Sequence, residues 1–289
     1  MRRTLLALAA LATAAPLAAA KAPVELAPSS QWNVDFARDK CQLIRTFGEG
    51  ENKHFLRFQQ YAPGDAAGLT VAGPAFKPFR SRALTDLRFF EGQTPHRTRP
   101  FTGTVEGFGD GVIFSGVTIN EGMPEEQETP PATSVTLLDT ALGKQVQFVE
   151  LRQGGRTVRL KTGPLNAAFD VLNQCALDLL RDWGLDPEKH LTAISAPRWT
   201  NPDAIVRRIQ SDYPSEAARR GEQAILRMRV IVSEQGKVES CTLIEATETK
   251  DIESPACRLM GSATFEPARD AAGMPFKSYF ATSLTYRLG

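Results

Sequence analysis

Between Leu165 and Trp183 the apolar residues Leu165, Phe169, Leu172, Ala176, Leu179 and Trp183 recur at spacings of four, three, four, three and four, which sets them on one face of a helix. A strand cannot use that period, because its successive side chains point to opposite faces. The spacing therefore predicts an amphipathic helix over residues 165–183. Pro164 suits its first position, and Gly184 suits the position just past its end, where a left-handed backbone is least costly for a residue without Cβ. The apolar stripe needs a second layer to cover it. A chain of 289 residues has room for one, since it is long enough for about two domains.

That layer is legible upstream. From about residue 32 to 158, β-rich runs are separated by Gly, Pro and Asp clusters. His54, Leu56, Phe58 and Gln60 alternate with Phe55, Arg57, Gln59 and Tyr61, a strand of mixed rather than one-sided polarity. Residues 112–119 and 146–151 are further β runs, and Gln153-Gly154-Gly155-Arg156 reads as a hairpin turn before residues 157–160. The expectation is an α+β chain whose first part, residues 21–190, is an antiparallel sheet or sandwich closed by the one helix. Residues 191–212, within a stretch holding Pro187, Pro197 and Pro202, are expected to link it to a smaller domain at 213–289, with a short helix at 203–210.

Hydrophobic, aromatic and charged shares of 42%, 8% and 23% argue against wholesale disorder, a membrane bundle or a fibrous repeat. The formal net charge of +1 offers no basic excess for a phosphate backbone, so nucleic acid is not expected as a partner. Arg2 and Arg3 precede a Leu/Ala stretch from residue 5 to 20 that ends in Ala18-Ala19-Ala20. This is the charged start, apolar middle and small-residue end of a secretory signal peptide over residues 1–20. The competing reading is an uncleaved anchor, which the shortness of the stretch, its Ala content and Pro16 oppose. No later segment reaches membrane-spanning length, so an exported product without a stable span is expected.

Export makes the four cysteines legible as disulfides. Three pairings of Cys41, Cys175, Cys241 and Cys257 are possible; their spacing favours one pair in each half, Cys41–Cys175 and Cys241–Cys257. The first would clamp the helix onto the sheet. The second would staple a strand to a helix. No C-x-x-C is present and His54, His96 and His190 are far apart, so no metal or other cofactor is expected.

In the last segment, Ala224, Leu226, Met228, Val230 and Val232 point one way in a strand and Arg227, Arg229 and Ser233 the other, which predicts one buried and one solvated face. Glu234-Gln235-Gly236-Lys237 turns the chain into a partner strand over 238–245. Ile252, Ala256, Leu259, Met260 and Ala263 form a helical stripe, and Phe280, Leu284, Tyr286 and Leu288 alternate with polar residues in a final strand. The order is helix, two strands, helix, strand.

This segment resembles the C-terminal domain of the TonB family. The resemblance rests on Tyr213-Pro214 with Ala217 and Gly221, on Gly236-Lys237-Val238 after the first strand, and on Phe265-Glu266-Pro267-Ala268-Arg269 followed by Gly273 and Pro275. It implies a periplasmic, non-catalytic recognition domain that pairs with an extended peptide of an envelope or outer-membrane protein by adding a strand to its sheet. A terminal strand with unpaired N–H and C=O groups supports such pairing on physical grounds. The matching residues are Tyr279, Ala281, Ser283, Thr285 and Arg287. The sequence departs from an energy-transducing TonB in having no histidine before His54 and a folded domain where a long Pro-rich arm would lie.

Other candidates have plainer readings. Gly107-Phe108-Gly109-Asp110-Gly111 lacks the helix and lysine of a phosphate loop and reads as a hairpin. Glu121, Glu125, Glu126 and Glu128, among Pro124, Pro130 and Pro131, lack EF-hand spacing and read as a solvated loop. Ser115 has no nucleophile-elbow context. Arg80, Arg82, Arg88, Arg97 and Arg99 could meet an anionic polymer or lipid but read as a solvated face. The expected function is a periplasmic binding protein of the envelope; the alternatives are an anchored TonB-type energy transducer and an enzyme in residues 30–190 localised by the TonB-like domain.

Overall fold

A computed structural model describes residues 22–81, 83–119, 135–212, 219, 224–245, 247 and 254–286. The expected leader, the acidic Pro-rich loop, Arg82, the Tyr213–Gly221 motif, Ile252, Arg287 and Leu288 lie outside the described residues. In chain order the first part runs β1 (Val24–Leu26), β2 (Asn33–Ala37), β3 (Lys40–Phe47), β4 (His54–Gln60), β5 (Ala66–Ala72), β6 (Thr85–Arg88), β7 (His96–Thr98), β8 (Phe101–Val105) and β9 (Gly109–Thr118). It continues through α1 (Thr140–Gln145), β10 (Val149–Gln153), β11 (Arg156–Leu160), α2 (Asn166–Asp182) and α3 (Pro187–Leu191). The second part holds β12 (Arg198–Trp199), α4 (Pro202–Ser211), β13 (Ala224–Val232), β14 (Val238–Glu245), α5 (Ala256–Met260), β15 (Phe265–Glu266), β16 (Ala268–Arg269), β17 (Pro275–Phe276) and β18 (Ser278–Tyr286). The architecture is α+β, with the N-terminal part β-rich.

Two sheets build the first part: β2-β3-β4-β5-β9-β8, antiparallel throughout, and β1-β11-β10-β6-β7, in which β1 runs parallel to β11. Their inner faces meet over Leu43, Leu56, Phe58, Leu69 and Val71 from one sheet and Leu87, Val149, Leu151 and Leu160 from the other. The helical stripe of α2 closes this core, Phe169 meeting Phe58 edge to face at 5.7 Å. Cys41 on β3 and Cys175 on α2 lie at disulfide distance, with Cα atoms 6.0 Å apart, so the helix is held against the sheet at a buried point.

The mixed polarity of β4 has a structural cause. Leu56 and Phe58 enter the core, while Arg57 on the other face joins a polar row across the strands, donating to Gln42 Oε1 at 3.3 Å and Thr70 Oγ1 at 3.4 Å; Gln42 in turn donates to Asp35 at 2.8 Å. Both faces are thus largely covered. The Gly154-Gly155 and Gly107 turns form hairpins as read from sequence, joining β10 to β11 and β8 to β9.

The second part is a three-stranded sheet, β14-β13-β18, with α4 and α5 on one face. The alternation in β13 sends Leu226, Met228, Val230 and Val232 into that core, where Leu259 and Met260 of α5 meet them. Helix α5 ends at Met260, and Ala263, expected on its stripe, is buried beyond it in a turn. The stretch expected to be a linker with a short helix does hold that helix, α4, and is packed: Ile205 and Ile209 of α4 are core residues, and β12 pairs with β15. Its apolar side chains have a place to go, which overrides the spacer tendency of its prolines. Cys241 on β14 and Cys257 on α5 form the second pair, Cα atoms 5.3 Å apart. Gly236, at φ 74°, turns β13 into β14 so close to Phe265 that a Cβ would sit 1.9 Å from its carbonyl oxygen. Only glycine fits there.

Candidate functional site at the domain interface

Of the residues expected to receive a partner, Tyr279, Ala281, Ser283 and Thr285 lie on β18, the outer strand of its sheet. No strand pairs along its other side among the described residues. Ala281, Ser283 and Thr285 are exposed, while Arg287 is outside the described residues. Tyr279 differs from the expectation. Its ring packs on Trp183 at 5.4 Å and on His190 at 5.7 Å, and its hydroxyl donates to the Pro63 carbonyl at 3.3 Å. Burial pushes that hydroxyl well above the usual tyrosine range. Tyr279 is an anchor between the two parts, and Ala281, Ser283 and Thr285 are exposed beyond it.

The second correction concerns the face of β13 expected to be solvated. Arg227 and Arg229 point at the N-terminal sheet. Arg227 lies over the Tyr61 ring at 5.2 Å and donates both to the Ser115 carbonyl and to Ser283 Oγ. Arg229 lies over Trp183 at 4.2 Å and faces Asp39 at 3.5 Å. Ile231, on the same face, joins Leu177, Leu180 and Leu185 in a small shared core. Arginine suits this seam because its flat, weakly hydrated guanidinium stacks on aromatic rings while its stem stays apolar. Burial holds Arg57, Arg227 and Arg229 below the ordinary arginine value. For Arg57 and Arg227 the group that counters this is the Tyr61 hydroxyl, whereas for Arg229 it is the carboxylate of Asp39.

Two hollows flank β18. One, of about 320 Å³, lies between the N- and C-terminal parts and is lined by Arg227, Arg229 and Ala281–Ser283. The other, about 280 Å³ and mainly apolar, runs beside the start of β18 between Pro63, Ala193–Pro197 and Phe276. His190 lines it at 3% exposure, its Nδ1 2.6 Å from the Asp186 carbonyl. A carbonyl only accepts, so Nδ1 carries the ring proton, and burial keeps the ring neutral by lowering its pKa.

The remaining sequence candidates stay apart. His54 is structural: Nδ1 donates to the Asn52 carbonyl at 2.7 Å and Nε2 accepts from the Ala75 N–H at 3.1 Å. His96 lies on β7 beside Phe89. Within the arginine stretch, Arg88 pairs with Glu150 and Arg97 with Asp86. Ser115 contributes its carbonyl rather than a nucleophile. Among the described residues no three His, Cys, Asp or Glu side chains gather as a metal site would require, and no helix is long and apolar enough to cross a membrane.

Sequence reasoning missed Arg227, Arg229, Tyr61 and Trp183 as a unit. One signal was present: Ile231 shares the strand face of the two arginines, and a solvated face has no use for it. Residues 209–288 match the family model of the Gram-negative bacterial TonB protein C-terminal domain. The TonB-like identity of this segment, expected from its motifs, is thereby shown. No curated protein matches the chain.

Proposed function

We propose that this is an exported, non-catalytic recognition protein of the Gram-negative envelope, which takes an extended segment of an envelope or outer-membrane protein along β18. The observation that carries this reading is the edge position of β18 in a TonB-like sheet, with Ala281, Ser283 and Thr285 exposed along it. Backbone groups on such an edge provide affinity, and side-chain hollows beside it provide selection. The disulfide-distance cysteine pairs fit an oxidising compartment. The N-terminal part serves as the platform against which the recognition sheet is braced, because Trp183, Tyr279 and Ile231 join the two.

A photo-crosslinking residue placed at Thr285 or Ala281 in the native host tests the proposal. The expected product is a crosslink to one extended segment of one envelope protein, absent when the same residue is placed at Ser240 on the opposite edge strand. Equal capture from Ser240, or none from either β18 position, refutes strand addition.

A further inference from the structure

The hollow between the domains is short of negative charge. Arg227 and Arg229 line it, and Tyr61 interacts electrostatically with both Arg57 and Arg227. The carboxylates that face this group are Asp39, 3.5 Å from Arg229, and Asp65, exposed at the mouth and in no described ion pair. Arg57 and Arg227 face no carboxylate among the described residues; their oxygen partners are Gln42 and Thr70 for one, Ser115 and Ser283 for the other. Arg57 Nε, Arg227 Nε and Arg229 Nη1 are buried without a hydrogen-bond acceptor. Burying a cation away from a countercharge is costly, and supplying the countercharge recovers that cost.

The direction of Arg227 specifies where the countercharge belongs. Its Nη1 donates to Ser283 Oγ, so the guanidinium already reaches from β13 across to β18, the strand at the edge. A strand added beyond β18 would lie about 4.8 Å further out, and its side chains on the Ser283 face would project over the mouth of the hollow. A carboxylate at that position meets Arg227, and a neutral side chain leaves the arginine as it was.

We infer that the interdomain hollow is an acidic-side-chain pocket: among extended segments able to pair with β18, it selects those carrying Glu or Asp opposite Ser283. This rests on the strand-addition reading for its biological partner, but the pocket can be tested without any strand. Arginine Nε–Hε resonances of the full-length, labelled protein are followed by NMR during titration with N-acetylglutamate methylamide, then with N-acetylglutamine methylamide and with inorganic phosphate. Arg227→Gln identifies the Arg227 signal, and its thermal melt verifies that it folds. The glutamate compound should move the Arg227 signal saturably, with at least about tenfold weaker binding for the glutamine compound. The shift should weaken as salt is added and vanish in the variant. No shift in the wild type, equal shifts from glutamate and glutamine, or tighter binding of phosphate would each overturn the assignment. A positive titration with no β18 crosslink would leave the pocket standing and remove strand addition.

Discussion

Trp183→Ala is the sharpest perturbation of this architecture, because the indole touches the N-terminal core and the shared seam at once. It is half-buried, so the loss should fall at the low end of the roughly 3–5 kcal/mol usual for removing a core Trp. About 1 kcal/mol of this comes from the edge-on contact with Tyr279 at 5.4 Å. A further ~1 kcal/mol comes from Arg229, whose guanidinium sits 4.2 Å from the ring centre in a largely dry setting. The remainder is lost burial. Urea unfolding followed by circular dichroism and by the fluorescence of the other tryptophans gives the total, and a double-mutant cycle with Arg229→Met isolates the pair. We expect a total near 3 kcal/mol and a coupling near 1 kcal/mol, together with faster proteolysis between residues 184 and 200. A coupling indistinguishable from zero would refute the claim that this contact ties the two parts together.

Three further outcomes follow from the same geometry. Removing the Cys41–Cys175 pair should cost more than removing Cys241–Cys257, ~5 against ~3 kcal/mol in the chain-entropy model for sequence separations of 134 and 16, and paired Cys→Ala variants compared by chemical denaturation measure the order. Gly236→Ala should destabilise by about 2 kcal/mol or more, since its Cβ would strike the Phe265 carbonyl in a left-handed backbone; a melting temperature equal to wild type contradicts this. His54 and His190 have folded pKa values below the ordinary 6.5, chiefly through burial. The unfolded chain therefore binds protons first, so these groups make stability fall as pH drops below about 6.5 and leave it level above; urea midpoints across that range, with His190→Phe flattening the slope, provide the check.

The elements that sequence announced are those whose neighbours repeat one rule. The α2 stripe, the β13–β14 hairpin and both cysteine pairs depend on local period or spacing, and each stands where its residues placed it. Missed features depend on a second layer. Leu177 and Leu180 widen the apolar arc of α2 because the C-terminal sheet covers a second side, and Arg227 and Arg229 read as solvated because charge usually means water. The same limit applied to β18: alternation located the strand, but that Tyr279 would be packed while Ser283 stays exposed depended on residues far upstream, such as Pro63 at a sequence separation of 216. Helix α4 was expected, yet its role as core rather than spacer required knowing that Ile205 and Ile209 would meet Leu226 and Met228.

The short parallel strand β1 has a consequence for reach. It fastens Val24–Leu26 to β11, so only residues 21–23 separate the apolar stretch ending at Ala20 from a folded sheet. Fully extended, three residues span about 10 Å. Were that apolar stretch held in a bilayer, the chain would sit as a tethered cap, its sheet almost touching the headgroups and its radius of search no wider than the molecule itself. Without that stretch, the same molecule would be limited only by diffusion. Cutting the chain at that one junction would therefore set how far the molecule can range.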